Sequence, residues 1–349
     1  MIENLTLVPF GWYILCRSSQ VKHKPKRFMF AGSAIVAFRN ADGLIALLED
    51  RCAHRGAPLS AGKVCGSSLQ CPYHGWKYDC DGNVTSIPAL EHMPEVESKK
   101  SIRAYHAVEQ EGFVWLKAGD EKVSFTGSPP LFANYGKAGW STFVMQTNFT
   151  ATVESCLENF LDCPHATFVH KYWFRAPTKK AVKVLVTTLK DGAQAEFFEE
   201  PREKSVVWWL LSPRSGSMKH TDRFVAPNMS RVDYDFSNGL HYIITSLCTP
   251  LNDRETLVHT VITFRYKRIS ALIRLFFEPL SRWIIRQDVA MLALQQNNLD
   301  QLEERDATNH FQSTEADLLG SHIIAWRKAL LNNESLPKAG QESHVEIYL

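Results

Sequence analysis

Cysteine is scarce in this chain: eight thiols among 349 residues are too few for the disulfide framework of a small secreted scaffold. An excess of charge of one sign is missing as well. With 39 basic against 37 acidic side chains and a formal net charge of +2, no extended basic face is available, and no nucleic-acid partner is expected. Nor is there a run of about 18 uncharged apolar residues, so no transmembrane span is expected. The nearest stretch, 269–285, is interrupted by Arg274, Glu278, Pro279 and Arg282; it is expected to form a pair of surface or core helices, with an interfacial role as the alternative. The first ten residues contain Glu3 and no basic start, unlike a secretory leader, which points to a reducing, cytoplasmic setting. Internal repeats, low-complexity tracts and a glycine fingerprint for flavin or nicotinamide are also missing.

What the chain has is enough apolar residues, 45% of the total, to bury a sizeable core, and enough length for about two domains. From Gly11 to Trp115 short β-rich runs alternate with turn residues. Ala34–Phe38, a turn at Asn40–Gly43 and Leu44–Leu48 read as a hairpin. Residues 123–138, with Gly127, Pro129, Pro130 and Gly136, have the composition of a boundary, so the join is expected near residue 120 (domains 1–120 and 121–349). Beyond it the pattern is α+β: a helix from about Thr152, strands at 182–189, 195–199, 205–211 and 240–247, then helices through Leu302. The polar last dozen residues are expected to fray.

Two short motifs carry the chemistry. Cys52-Ala53-His54 is separated by sixteen residues from Cys71-Pro72-Tyr73-His74, so each loop offers one thiolate and one imidazole. Such a set suits a two-iron, two-sulfur cluster with cysteines on one iron and neutral histidines on the other. Gly56, Pro58, Pro72 and Gly75 suit loop tips folded about a metal. A tetrahedral zinc site uses the same donor types and remains the alternative. Cys16, Cys65, Cys80, Cys156, Cys163 and Cys248 are expected to be ordinary small apolar residues.

The second motif places His165 and His170 five residues apart. Five residues turn an unbroken helix by about 500°, so the two imidazoles meet one metal only if the helix breaks, and Pro164 supplies a break. A carboxylate would complete the facial triad of a non-haem iron(II) site. Asp288 falls on the apolar stripe of Ile284, Ile285, Val289, Leu292 and Leu299, where a carboxylate is costly unless paired or metal-bound. Pairing with Arg282 or Arg286, and a helix-capping role for Asp162, stay open at this point.

The stretches C-A-H-R-G-A-P-L-S and C-P-Y-H-G-W-K-Y resemble the Rieske domain of Rieske non-haem iron oxygenases, and Asn159-x₂-Asp162-x₂-His165-x₄-His170 is similar to the motif of their catalytic domain. Rieske proteins of respiratory complexes carry a further cysteine in each loop; here Ala57 and Tyr73 stand nearby, which favours the oxygenase or ferredoxin type. The resemblance implies an N-terminal all-β Rieske [2Fe-2S] domain, with Cys52, His54, Cys71 and His74 on the cluster. It implies a C-terminal α+β helix-grip (START-like) domain with an antiparallel sheet. There His165, His170 and Asp288 would bind a mononuclear Fe(II), with Asn159 close by. Asp162 would bridge to His74 of a neighbouring subunit in a homotrimer. The implied activity is that of the monooxygenase and demethylase branch: dioxygen, and electrons from NAD(P)H through a separate ferredoxin or flavin reductase, used to hydroxylate or demethylate a largely apolar small molecule. A Rieske electron carrier with a hydrophobic ligand domain, or a ring dioxygenase, is the alternative.

Phe160, Leu161, Phe168, Trp208, Trp209 and Ile244 are candidate pocket residues, at least half of them expected to be plain core. Basic residues at 17–27 and 171–183 could steer an acidic redox partner, although a solvated face is the commoner meaning of such runs.

Overall fold

The computed structural model describes residues 8–90, 101–119, 127–171, 173, 180–198, 218–236, 239–266, 270–301 and 311–349. The chain divides into two compact units, Met1–Pro130 with Leu251–Asp253, and Leu131–Pro250 with Arg254–Leu349. The expected join at residue 120 lies in 120–126, outside the described residues.

The first unit is built from β1 (Gly11–Arg17), β2 (Lys26–Phe30), β3 (Ser33–Arg39), β4 (Ile45–Glu49), β5 (Lys63–Cys65), β6 (Ser68–Gln70), β7 (Lys77–Tyr78), β8 (Val84–Ser86), β9 (Ala104–Tyr105), β10 (Ala107–Gln110) and β11 (Phe113–Ala118). They form three small sheets, β1-β11-β10, β2-β3-β4-β9 and β5-β6-β7-β8. The β3–β4 hairpin stands where the turn residues put it: Asn40 Oδ1 accepts the Leu44 N–H, and Gly43 takes φ +83°, a left-handed conformation that glycine adopts without strain. Strand β3 is buried on both faces. Ile35 and Ala37 join one core with Tyr13, Phe30 and Leu116; Val36 and Phe38 join another that holds Leu59, Leu69, Tyr78 and the two motif cysteines. Alternation along one strand thus separates a scaffold core from the floor of the motif loops.

The second unit centres on an eight-stranded antiparallel sheet. Its strands are β12 (Ser141–Phe149), β13 (Ala181–Leu189), β14 (Gly192–Phe198), β15 (Met218–Val225), β16 (Met229–Phe236), β17 (His241–Pro250), β18 (Thr256–Arg265) and β19 (Glu342–Tyr348), ordered β12-β18-β17-β16-β15-β14-β13-β19. Helix α1 (Val153–Leu161) starts where Thr152 caps it, its Oγ1 accepting the Ser155 N–H. Helices α2 (Ser270–Leu299) and α3 (Gly320–Asn332) follow the sheet. The inner face of α2 repeats at three- and four-residue spacing through Ile273, Phe277, Leu280, Ile284 and Ile285. It packs on Phe143, Tyr234, Tyr242 and Phe264 of the sheet.

Two expectations need correction. The stretch expected as a helix pair is one continuous helix, α2, with Pro279 inside it. A proline there costs roughly 3 kcal/mol. The packed stripe runs unbroken past it, and Glu278 accepts hydrogen bonds from Arg274, one turn before the proline, and from Arg282, an i,i+4 pair that spans it. Nor does the C-terminus fray. Strand β19 pairs with β13 over seven residues, and Leu349 exchanges two backbone hydrogen bonds with Lys180. The alternation of Val345, Ile347 and Leu349 buries Ile347 and Leu349, a period-two signal hidden by polar neighbours. The strand expected at 205–211 lies outside the described residues.

Candidate active site and metal centres

In the first unit the two motif loops are tight turns. Gly56 N–H donates to the Cys52 carbonyl, and Cys71 N–H to that of Trp76. Gly75 has φ +74°, and a Cβ there would lie 3.1 Å from Gln70 and Pro88, so only glycine closes the second loop without displacing neighbours. Cys52 and Cys71 are buried, while His74 is exposed at the loop tip. The rings of His54 and His74 are 4.5 Å apart, and His54 stacks on Trp76 with an interplanar angle of 1°. His54 Nδ1 is buried and has no hydrogen-bond partner among the described residues.

Tyr78 sets the electrostatics of the first thiol. Its oxygen accepts the Ala53 N–H at 3.0 Å and lies 3.1 Å from Cys52 Sγ, to which the hydroxyl donates once that sulfur is a thiolate. Burial, followed by the bond to Cys52, pushes the Tyr78 phenol well above its ordinary pKa, so it stays a donor. Burial likewise raises the Cys71 thiol.

In the second unit α1 ends at Leu161, and the chain turns through Asp162 and Cys163 into a single 3₁₀ turn, Pro164–Thr167. This is the break that a five-residue histidine spacing requires, and it brings the His165 and His170 rings to 5.3 Å. The Asp162 carbonyl can only accept, so its contact with His165 Nδ1 fixes the proton on that nitrogen. Gln287 Oε1 does the same for His170 Nδ1 at 2.7 Å. Both Nε2 lone pairs then face Asp288 Oδ1, at 3.7 Å from His165 and 3.0 Å from His170. Asp288 is 7% exposed, and its Oδ1 makes no hydrogen bond among the described residues. The arginine alternative fails for Arg282, which pairs with Glu278.

With both imidazoles neutral, the three converging lone pairs repel one another unless a cation, a proton or a metal ion, sits among them, and two imidazoles with one carboxylate match the donor set of non-haem iron. Burial pulls the His165 imidazolium down, but its hydrogen bond to Asp162 and the charges of Asp288 and Asp162 lift it above its ordinary pKa. The local field thus favours positive charge. Among the described residues, the trios whose donor atoms gather within 4.8 Å are His165–His170–Asp288 and Cys163–His220–Asp222.

A cavity of about 140 Å³ opens onto the trio. Asn159, Asp162 and, of the sequence candidates, Phe160 and Ile244 line it. Leu161 is buried away from the cavity lining and Phe168 is 82% exposed, so neither lines it; Trp208 and Trp209 lie outside the described residues. Sequence reasoning missed Met145, Ile262, Phe277 and Asp222 on its walls. The first three could have been found from the inward phase of β12, β18 and α2, once the strand pairing was known. Asp162 serves as more than a cap, since its carboxylate accepts the His165 N–H at 3.2 Å while its carbonyl holds the ring.

Residues 11–105 match the Rieske [2Fe-2S] domain, and residues 149–332 match the vanillate O-demethylase oxygenase C-terminal domain. The chain belongs to the Rieske oxygenase family. Its family cofactors are a Rieske [2Fe-2S] cluster and a mononuclear iron, with dioxygen as co-substrate. Among curated relatives, this Rieske oxygenase chain is 26% identical over 298 residues to the protein TIC 55, chloroplastic, of Pisum sativum, covering 81% of the chain and 51% of the relative. It is 30% identical over 163 residues to the vanillate O-demethylase oxygenase subunit of Pseudomonas sp. (strain HR199 / DSM 7063), covering 46% and 44%. The chain spans about half the length of these curated relatives. The solved structure of Pseudomonas putida CBB5 NdmA with caffeine shares its fold, with a TM-score of 0.76 at 20% identity over 95% of this chain and 92% of that one. Among the described residues no helix is long and apolar enough to cross a membrane.

Proposed function

We propose that this chain is the oxygenase component of a Rieske system that hydroxylates or oxidatively demethylates a largely apolar small molecule. The observation that carries the proposal is the set of three converging acceptors, the half-buried His165 Nε2 with the buried His170 Nε2 and Asp288 Oδ1, opening into an apolar cavity. In this reading Cys52, His54, Cys71 and His74 hold the cluster, and His165, His170 and Asp288 hold the mononuclear iron. When bound, the iron supplies dioxygen chemistry at a substrate C–H bond, with electrons relayed by the cluster.

The chain's own residues do the rest. Gln287 and the Asp162 carbonyl fix the tautomers of the two histidines, so their lone pairs point into the site. Asn159 presents a buried Oδ1 with no hydrogen-bond partner among the described residues to the same cavity. Phe160, Ile244 and Ile262 exclude water. The carboxylate of Asp162 remains part-exposed and would accept a hydrogen bond from the exposed His74 of the partner subunit in a homotrimer. Electrons come from NAD(P)H through a separate ferredoxin or flavin reductase. Eight free thiols suit a reducing, cytoplasmic compartment.

The test is turnover of a methoxy- and methyl-substituted aromatic and sterol panel with a surrogate reductase, with formaldehyde and hydroxylated product both measured. Formaldehyde identifies demethylation, and hydroxylated product alone identifies hydroxylation. Oxygen uptake that never depends on substrate, with neither product formed, would overturn the proposal in favour of an electron carrier.

A further inference from the structure

The cavity has a second polar feature that the metal trio does not use. Along β15, His220, Asp222 and Phe224 are the buried positions, at 0%, 2% and 0% exposure, where an inward-facing strand would ordinarily carry three apolar residues. Asp222 lines the cavity. Its Oδ1 accepts from His220 Nε2 at 2.9 Å, and its Oδ2 accepts from Cys163 Sγ at 3.5 Å. Cys163, expected as an ordinary apolar residue, therefore donates to a carboxylate and lines the same cavity. The His220 ring is clamped between Phe197 and Tyr234, with centroids at 4.2 and 4.3 Å and interplanar angles of 10° and 24°.

The contrast with the metal trio decides what this group is for. At Asp288 lone pairs face lone pairs. At Asp222 an N–H and an S–H face an acceptor, so the group holds together without an ion. A carboxylate offers about four lone-pair sites; one strong and one weak donor leave it short of partners, and among the described residues no Lys or Arg pairs with it. A carboxylate held in an apolar wall with unused acceptor sites is costly, and a ligand carrying a donor relieves that cost.

We propose that Asp222 is the specificity anchor of the cavity: it accepts a hydrogen bond from a hydroxyl or N–H group of an otherwise apolar substrate, with His220 and Cys163 as positioning residues. This rests on the reading of the cavity as the substrate site and names the class of substrate, an apolar molecule with one donor group. Sites built to accept such a bond discriminate strongly against analogues that lack it.

The probes are 4-methoxyphenol and anisole, which differ by one hydroxyl, titrated calorimetrically into the anaerobic holoenzyme. The phenol is expected to bind about tenfold or more tightly than anisole, the range for a hydrogen bond to a charged acceptor. Asp222→Leu is expected to bring that ratio to about one by weakening the phenol alone. Asp222→Asn, which keeps volume and one neutral acceptor, is expected to fall between and serves if the leucine variant does not fold. A ratio near one in the wild type, a ratio unchanged in both variants, or no saturable binding of either probe would overturn the anchor. The same ratio measured in Asp288→Asn separates the two readings, because loss of iron binding leaves an anchor at Asp222 intact.

Discussion

Exchanging Asp288 for Asn should make the iron-free protein more stable while removing its mononuclear iron. Asp288 Oδ1 is buried without a hydrogen bond among the described residues, 3.0 Å from one imidazole nitrogen and 3.7 Å from another. An unsatisfied buried acceptor costs about 1–3 kcal/mol. An Asn amide turned toward His170 Nε2 replaces that repulsion with a donated bond, a gain of about 1–2 kcal/mol. For a domain of this size each kcal/mol moves the melting point by about 2–4 °C, so Tm should rise by roughly 2–8 °C. The measurement is a thermal melt of chelator-treated protein, repeated at rising pH until the raised His165 imidazole is neutral, beside iron analysis after anaerobic ferrous reconstitution. If Asp288 were the anionic half of a structural ion pair, the variant would instead lose about 3–5 kcal/mol. That loss, or iron content equal to wild type, would refute the reasoning.

Tyr78→Phe removes the hydroxyl that donates to Cys52 Sγ; the cluster potential should fall by about 60 mV, the one-electron equivalent of about 1.4 kcal/mol, and an unchanged spectroelectrochemical midpoint would contradict this. Burial first, then Glu154, Asp317 and Asp162, pushes Glu158 up to about 7 from an ordinary 4.5. A raised carboxyl favours the folded state below the unfolded value and loses that contribution as pH climbs through about 7. Glu158→Gln should therefore gain on wild type between pH 5 and 8, by about 1–2 kcal/mol after screening, in paired denaturant titrations; a pH-independent difference would be the wrong result. Arg327, 7% exposed, donates to Glu154 at 2.6 Å and to the Pro227 carbonyl at 2.7 Å. Arg327→Met should cost about 1–3 kcal/mol by calorimetry, since the Glu154 left behind is 40% exposed and partly solvated, and a loss below about 0.5 kcal/mol would show the pair to be dispensable.

The motif loops were legible in the sequence because their chemistry is local: residue type, spacing and turn-forming glycines all lie within a few positions of Cys52 and Cys71. The break at Pro164 was legible for the same reason, since helix geometry alone forbids His165 and His170 from sharing a face. Asp288 was found through its conflict with the apolar stripe of α2. Asp222 broke an apolar pattern in the same way but went unnoticed, because a strand alternation is short and its burial depends on neighbours β14 and β16. The unbroken course of α2 through Pro279 and the pairing of β19 depend on tertiary partners, which override local propensity.

The β13–β19 ladder joins residues separated by more than 150 positions, from Ala181 with Tyr348 to Thr187 with Glu342. Closing so long a loop is slow, and until it closes β13 presents a bare edge to any other strand nearby. Clipping, or a bulky fusion placed after Leu349, would prolong that interval, so low-temperature production and an amino-terminal affinity tag are the practical choices for obtaining this protein unaggregated.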